Sequence, residues 1–159
     1  MSEISTLRAH FELTCTVMNA AVADTTHAES LRTPVKDLNG MNWVLGHVTH
    51  VNAGILELLG APGDPSSHSL RRYAPGMRPI NDPADLLDFN TLRNALREQG
   101  PLLDSALSGA TEELLASSPP EGFDGELRNF LHFIGFHQAY HAGQLGFLRR
   151  ALGYSRAFG

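Results

Sequence analysis

His137 and His141 stand four residues apart in a stretch with a three-four apolar rhythm, and His47 lies in a second stretch of the same kind. On a helix, residues four apart share one face, with their Cβ atoms about 5–6 Å apart. Two imidazoles from one helix and a third from its neighbour would present three nitrogens to a borderline divalent ion, leaving positions for water or substrate. An ion held in this way polarises a carbonyl, lowers the pKa of a bound water or holds a thiol as thiolate. Residue 138 is Gln, so the glutamate base of an H-E-x-x-H protease is missing and proteolysis of that type is not expected. The spacing leaves a second reading open, in which the three are core histidines bonded to backbone, Gln144 and Asn42.

The surroundings of these residues contain no formal charge. Residues 38–56 and 129–148 hold no Asp, Glu, Lys or Arg, although 18% of the chain is charged. Such helices are expected to be shielded over most of their circumference. Membrane spans are excluded by Asn42, His47, Thr49, His50 and Asn52 in one stretch and His132, His137, Gln138, His141 and Gln144 in the other. Both are therefore expected as inner helices of a bundle. The stripe Phe130, Ile134, His137, His141, Leu145 and Leu148 faces inward on the later helix, as do Val44, His47, Val51 and Leu58 on the earlier one. Glycines at 46, 54, 135, 143 and 146 let backbones approach or leave a cavity between them.

Four helices suffice to position these groups, and no segment alternates with the period of a strand. The first is expected over about Ser2–Thr26, with Ile4, Leu7, Phe11, Val17, Met18 and Val22 buried, and the second over about Asn42–Leu59, stopped by Gly60. Residues 60–82, rich in Gly and Pro, form a connection too long for a turn, either a lid or a loose tether. The third helix starts at Asp82 and Pro83, continues through Leu86 and Leu96, and is kinked or broken at Gly100-Pro101 before a short piece to Leu115. The fourth runs from a cap at Asp124 to about Leu152. The expected fold class is thus all-α, an up-down four-helix bundle with a long loop between helices 2 and 3, forming a single domain over residues 1–159.

Composition bounds the partners. Twelve basic against 17 acidic residues, with Lys36 the sole lysine, speak against nucleic acid. The single Cys15 lies in an apolar helical stretch, and no secretory leader is visible, so a reducing cytoplasm is expected.

The run His137-Gln138-Ala139-Tyr140-His141-Ala142-Gly143-Gln144-Leu145, followed by Leu148-Arg149-Arg150, resembles the last-helix signature of the DinB-like superfamily, and Asn42-Trp43-Val44-Leu45-Gly46-His47 resembles its second-helix motif. The resemblance extends over nearly the whole chain and implies a metal site at His47, His137 and His141, holding one zinc or nickel ion. It also implies metal-dependent chemistry on a small electrophilic substrate, as a thiol-dependent S-transferase or isomerase or as a hydrolase, with a low-molecular-weight thiol as cosubstrate and a homodimer as the assembly. The alternative is a non-catalytic stress-response or binding protein with a structural metal. Many similar proteins carry an acid where Gln138 stands, so no role for that acid is carried over. No catalytic residue is assigned. His50, one turn on from His47, is either a structural polar residue or one that faces substrate or supports the site, and Tyr140 is a candidate donor to substrate. Arg71, Arg72, Tyr73 and Arg78 form either an anion clamp or a solvated loop. Glu57 lies about 15 Å along the axis from His47, too far to act as its base. Arg149 and Arg150 suit the negative end of the last helix.

Overall fold

The computed structural model describes residues 2–34, 39–61, 67–77 and 85–157. Among them are α1 (Glu3–Val22), α2 (His27–Ser30), α3 (Met41–Leu58), α4 (Ser67–Leu70), a 3₁₀ turn (Arg71–Tyr73), α5 (Phe89–Ser108), α6 (Glu112–Leu115) and α7 (Leu127–Ala151), with no strand. The long helices α1, α3, α5 and α7 are the four of the expected bundle. Around the bundle α1 neighbours α5 and α7, and α3 neighbours the same two, so α1 lies diagonal to α3 and α5 to α7.

Side-chain contacts fix the directions. Arg8 meets Asp104 while Arg93 reaches the Val22 carbonyl, so α1 and α5 are antiparallel. Glu3 meets Arg128 and Ala21 meets Arg149, so α1 and α7 are parallel. Asn42 binds the Leu87 carbonyl and Thr49 the Gln99 amide, which makes α3 parallel to α5. The sense is therefore up, down, down, up. This order explains the long connection: α3, about 27 Å long at 1.5 Å per residue, must be retraced before α5 begins in the same direction.

The core divides in two. Met18, Val44, Leu45, Val48, Leu92, Leu96, Leu145 and Leu148 pack at one end, and Leu7, Phe11, Ile55, Leu103, Leu107, Leu131 and Ile134 at the other. Between them lies a buried polar layer, with Thr14 from α1, Thr49 and Asn52 from α3, Gln99 from α5 and Gln138 from α7. Gln138 donates to the Asn52 side chain, Gln99 to the Thr49 carbonyl and Thr14 to the His10 carbonyl, so burial leaves none of these residues without a hydrogen bond.

Several boundaries differ from expectation. α1 stops at Val22, and a separate turn of helix begins at Thr26, whose side chain forms a capping box with Glu29. The expected cap at Asp82 and Pro83 lies outside the described residues, as do Lys36 and Arg78. α5 begins at Phe89 with Asp88 as its cap, leaving Leu86 ahead of the helix. Gly100-Pro101 does not break α5. Glycine before proline removes the Cβ that would collide with the ring, and Gly100 lets Cys15 Sγ approach to 3.0 Å of where a Cβ would stand. α7 is capped by Glu126 and Asn129 rather than Asp124. Its outer face is not shielded: Phe133, Phe136, Tyr140 and Phe147 are exposed, Phe136 at 69%. Missing charge marked burial on α3 and on only one side of α7.

Arg149 is 5% exposed and donates to the carbonyls of Ser155 and Ala21 and to Asp24, tying the end of α7 to the end of α1. Arg150 is exposed and reaches only the Tyr154 carbonyl. Replacing a buried guanidinium strands its acceptors, so Arg149→Met is expected to lower unfolding stability in urea by about 2–3 kcal/mol. Arg150→Met should change it by less than about 0.5 kcal/mol.

Candidate metal centre

α3 and α7 cross beside the polar layer, and there His47, His137 and His141 come together. His47 Nε2 lies 3.1 Å from His137 Nε2, which lies 3.0 Å from His141 Nε2. Two of the rings have their tautomer fixed from behind. His47 Nδ1 donates to the Tyr73 carbonyl at 2.9 Å, and His141 Nδ1 donates to Gln144 Oε1 at 2.7 Å. Since a carbonyl oxygen only accepts, each Nδ1 carries the proton and each Nε2 presents a lone pair. Of the partners that a purely structural reading would assign to these histidines, backbone and Gln144 are present and occupy the far nitrogen, Asn42 binds Leu87 and Tyr73 instead, and the near nitrogens meet only one another. His137 Nδ1 has no partner, and that ring is placed by its neighbours.

This spacing fits one cation. Two imidazole nitrogens each about 2.0–2.1 Å from an ion lie about 3.3 Å apart at a tetrahedral angle and about 2.9 Å apart at a right angle. The two separations from His137 fall between these values, and the ligand atoms of all three residues lie within 4.8 Å of one another. The three residues form a group able to hold a metal ion, and no fourth His, Cys, Asp or Glu joins it among the described residues.

Support for His47 comes from a residue the sequence placed in a loop. Tyr73 is fully buried, and its hydroxyl donates to Asn42 and accepts from the Leu87 backbone N–H. Its ring lies on Gly46, where a Cβ would come within 2.5 Å of it. The short side chain of Gly46 therefore seats Tyr73, and the seated Tyr73 offers its carbonyl to His47. The other face of the His47 ring stacks on Trp43, with centroids 5.0 Å apart and planes 7° from parallel. The segment 67–77 is thus neither lid nor tether but a strap docked on α3. Arg72 is engaged with the carbonyls of Ser69 and Asp85, and Tyr73 is buried, so no anion clamp forms from this pair. Gly46 and Asn42, both visible in the second-helix motif, were the available signals for a docked ring.

Tyr140 lies on the outer face of α7 and accepts from Gln144 Nε2 at 3.0 Å, so it steadies the amide that holds His141. Gln138 is turned to Asn52, away from the three rings. His132 pairs with Glu3 at the surface, and His27 accepts from the Phe89 backbone N–H. His47, His50 and His137 line one end of an open pocket of about 660 Å³ between α3, α7 and the α6–α7 connection. Leu58, expected inside, stands on its rim at 36% exposure, and Glu57 is also in its wall.

Burial, then the neighbouring His141 and His47, pushes His137 down to about 4. Burial likewise pushes His141 down to about 4, against the bond to Gln144. His47 and His50 are lowered too, first by burial. Between about pH 6.5 and 4 the unfolded chain binds more protons than the folded one, so stability is lost as pH falls. For chelator-treated protein the melting temperature should hold above pH 6.5 and decline toward pH 4. The decline should be shallower in a His137→Gln, His141→Gln double variant, as read by thermal melts.

A family model described as the DinB superfamily matches residues 10–145, a span that includes all three histidines. Among solved structures the chain is similar to a conserved protein from Enterococcus faecalis, with a TM-score of 0.69 and 18% identity over 96% of this chain and 98% of that one. No protein of curated function matches. A family match of this extent, on a helical bundle whose three histidines converge, establishes that the chain belongs to the DinB superfamily.

Proposed function

We propose that this protein is a divalent-metal-dependent enzyme acting on a small electrophilic substrate, with His47, His137 and His141 holding one Zn²⁺ or Ni²⁺. The observation that carries this reading is the convergence of three imidazole Nε2 atoms beside an open pocket, with no fourth His, Cys, Asp or Glu in the group among the described residues. A structural site would be closed by a fourth ligand; an incomplete shell beside a cleft is the arrangement of catalysis. A bound ion supplies Lewis acidity toward a small ligand such as a thiol or a water at that position.

The residues of the chain divide the remaining work. Tyr73 and Gln144 hold His47 and His141 with their lone pairs toward the site. His50 shares the pocket end with His47 and is kept neutral by burial, so it is placed to accept a proton from a bound ligand. Gln138 takes no part as a base because it faces Asn52. Thiol-dependent transfer or isomerisation suits such a site better than peptide hydrolysis, since an acidic thiol brings its own nucleophile and needs no glutamate beside the metal.

Elemental analysis of protein made without a histidine tag should give one metal per chain, lost in His137→Ala. Gln144→Ala should weaken metal binding about 10- to 100-fold, and Gln144→Glu should retain it, because the acceptor for His141 Nδ1 survives. Absence of stoichiometric metal would end the proposal. On panels of thiols and electrophiles, His50→Gln should keep full metal content yet lower turnover by about 100-fold; unchanged turnover would remove His50 from the mechanism.

A further inference from the structure

The pocket beside the three histidines is far more apolar than metal chemistry requires. Val51, Ile55 and Leu58 of α3 form one wall and Phe130, Phe133 and Ile134 of α7 the other. Phe123, from the α6–α7 connection, packs on Phe130 and Phe133 with centroids 4.7 and 5.4 Å away. Phe123 and Phe133 remain 44% and 46% exposed, an apolar surface whose burial would be favourable. Glu57 is the one formally charged residue among those lining the pocket, and it carries a negative charge. The polar end is made by His47, His50 and His137. At about 660 Å³ the volume is that of a small-molecule site.

We infer that the pocket selects a small substrate with a neutral apolar body, of the size of an aromatic ring or a six- to eight-carbon chain, lying along Phe123, Phe130 and Leu58 with its polar head toward His47 and His137. The identity of the head rests on the proposed metal site; the choice of body does not. A pocket that ends on imidazoles along one short edge and is apolar elsewhere fits an amphiphilic small molecule better than a polypeptide segment, whose backbone N–H and C=O groups would find few partners along those walls.

Gly54 provides the test. It lines the pocket, and a Cβ built there meets no atom within 4 Å, so Gly54→Leu fills space without collision and favours the helix. Gly146, also free of neighbours at its Cβ position and not part of the pocket, is the control. Metal-free protein should bind the neutral fluorophore N-phenyl-1-naphthylamine saturably. Butanol, hexanol and octanol should displace it with affinities rising about three- to fourfold per methylene. Gly54→Leu should weaken probe binding at least tenfold, and Gly146→Leu should leave it unchanged. With cobalt-loaded protein, hexane-1-thiol should alter the visible spectrum at lower concentration than 2-mercaptoethanol does, and Gly54→Leu should remove that advantage while cobalt content stays the same. No saturable probe binding, equal displacement by the three alcohols, or indifference to Gly54→Leu would overturn the inference. Failure of cobalt to bind would instead count against the metal reading, with the alcohol series still deciding the pocket.

Discussion

His137 Nε2 lies about 3 Å from the Nε2 atoms of both His47 and His141, and because those two present lone pairs toward it, the arrangement is favourable only with a proton on His137 Nε2 or a cation between the rings. The protein enforces this arrangement from outside. The Tyr73 carbonyl and the Gln144 amide oxygen each take the proton of the remote nitrogen, so neither His47 nor His141 can turn its N–H inward. Burial closes the other escape by lowering the pKa values and opposing protonation. With two of its three rings held against tautomerisation and all three against protonation, the site suits a cation, and its cost is met by packing elsewhere in the bundle.

The helical frame shows how that cost is carried. Two apolar clusters grip the bundle at its ends, and the polar layer at mid-height fixes the helices against sliding. A one-residue slip of α7 would separate Gln138 from Asn52 and leave buried amides unsatisfied, at about 1–3 kcal/mol for each group. The histidines occupy this same level, where α3 and α7 already carry polar groups. The up-down-down-up order contributes as well. By requiring the chain to travel back along α3, it supplies the strap whose Tyr73 braces His47. A bundle with short loops throughout would have no segment there to offer a carbonyl.

The pocket gives the centre its direction. His47 and His137 face it, whereas His141 stands farther along α7 with its amide partner Gln144 and Tyr140 behind. One side of the three-nitrogen face is thus backed by Gln144 and Tyr140, and the other opens on aromatic and aliphatic walls.

Much of this was legible in the chain itself. The three-four rhythm gave four long helices, and the charge-free stretches with histidines on their apolar stripes marked His47, His137 and His141 as candidates to share an ion, because helical periodicity is local and fixes which residues share a face. What sequence could not decide were facts about pairs of distant segments. Gly100-Pro101 looks like a break until α5 is seen to run through it, with the missing Cβ of Gly100 leaving room for the proline ring and for Cys15. The outer aromatic face of α7 looks buried because missing charge does not say which side a neighbour covers. Tyr73 reads as a loop residue until its ring is found on Gly46, 27 positions earlier. The sequence by itself determined the helices and the ligand candidates, through the period of the backbone. Only the tertiary structure decided which nitrogen of each ring is free, since that depends on a carbonyl and an amide brought up by the packing of the chain.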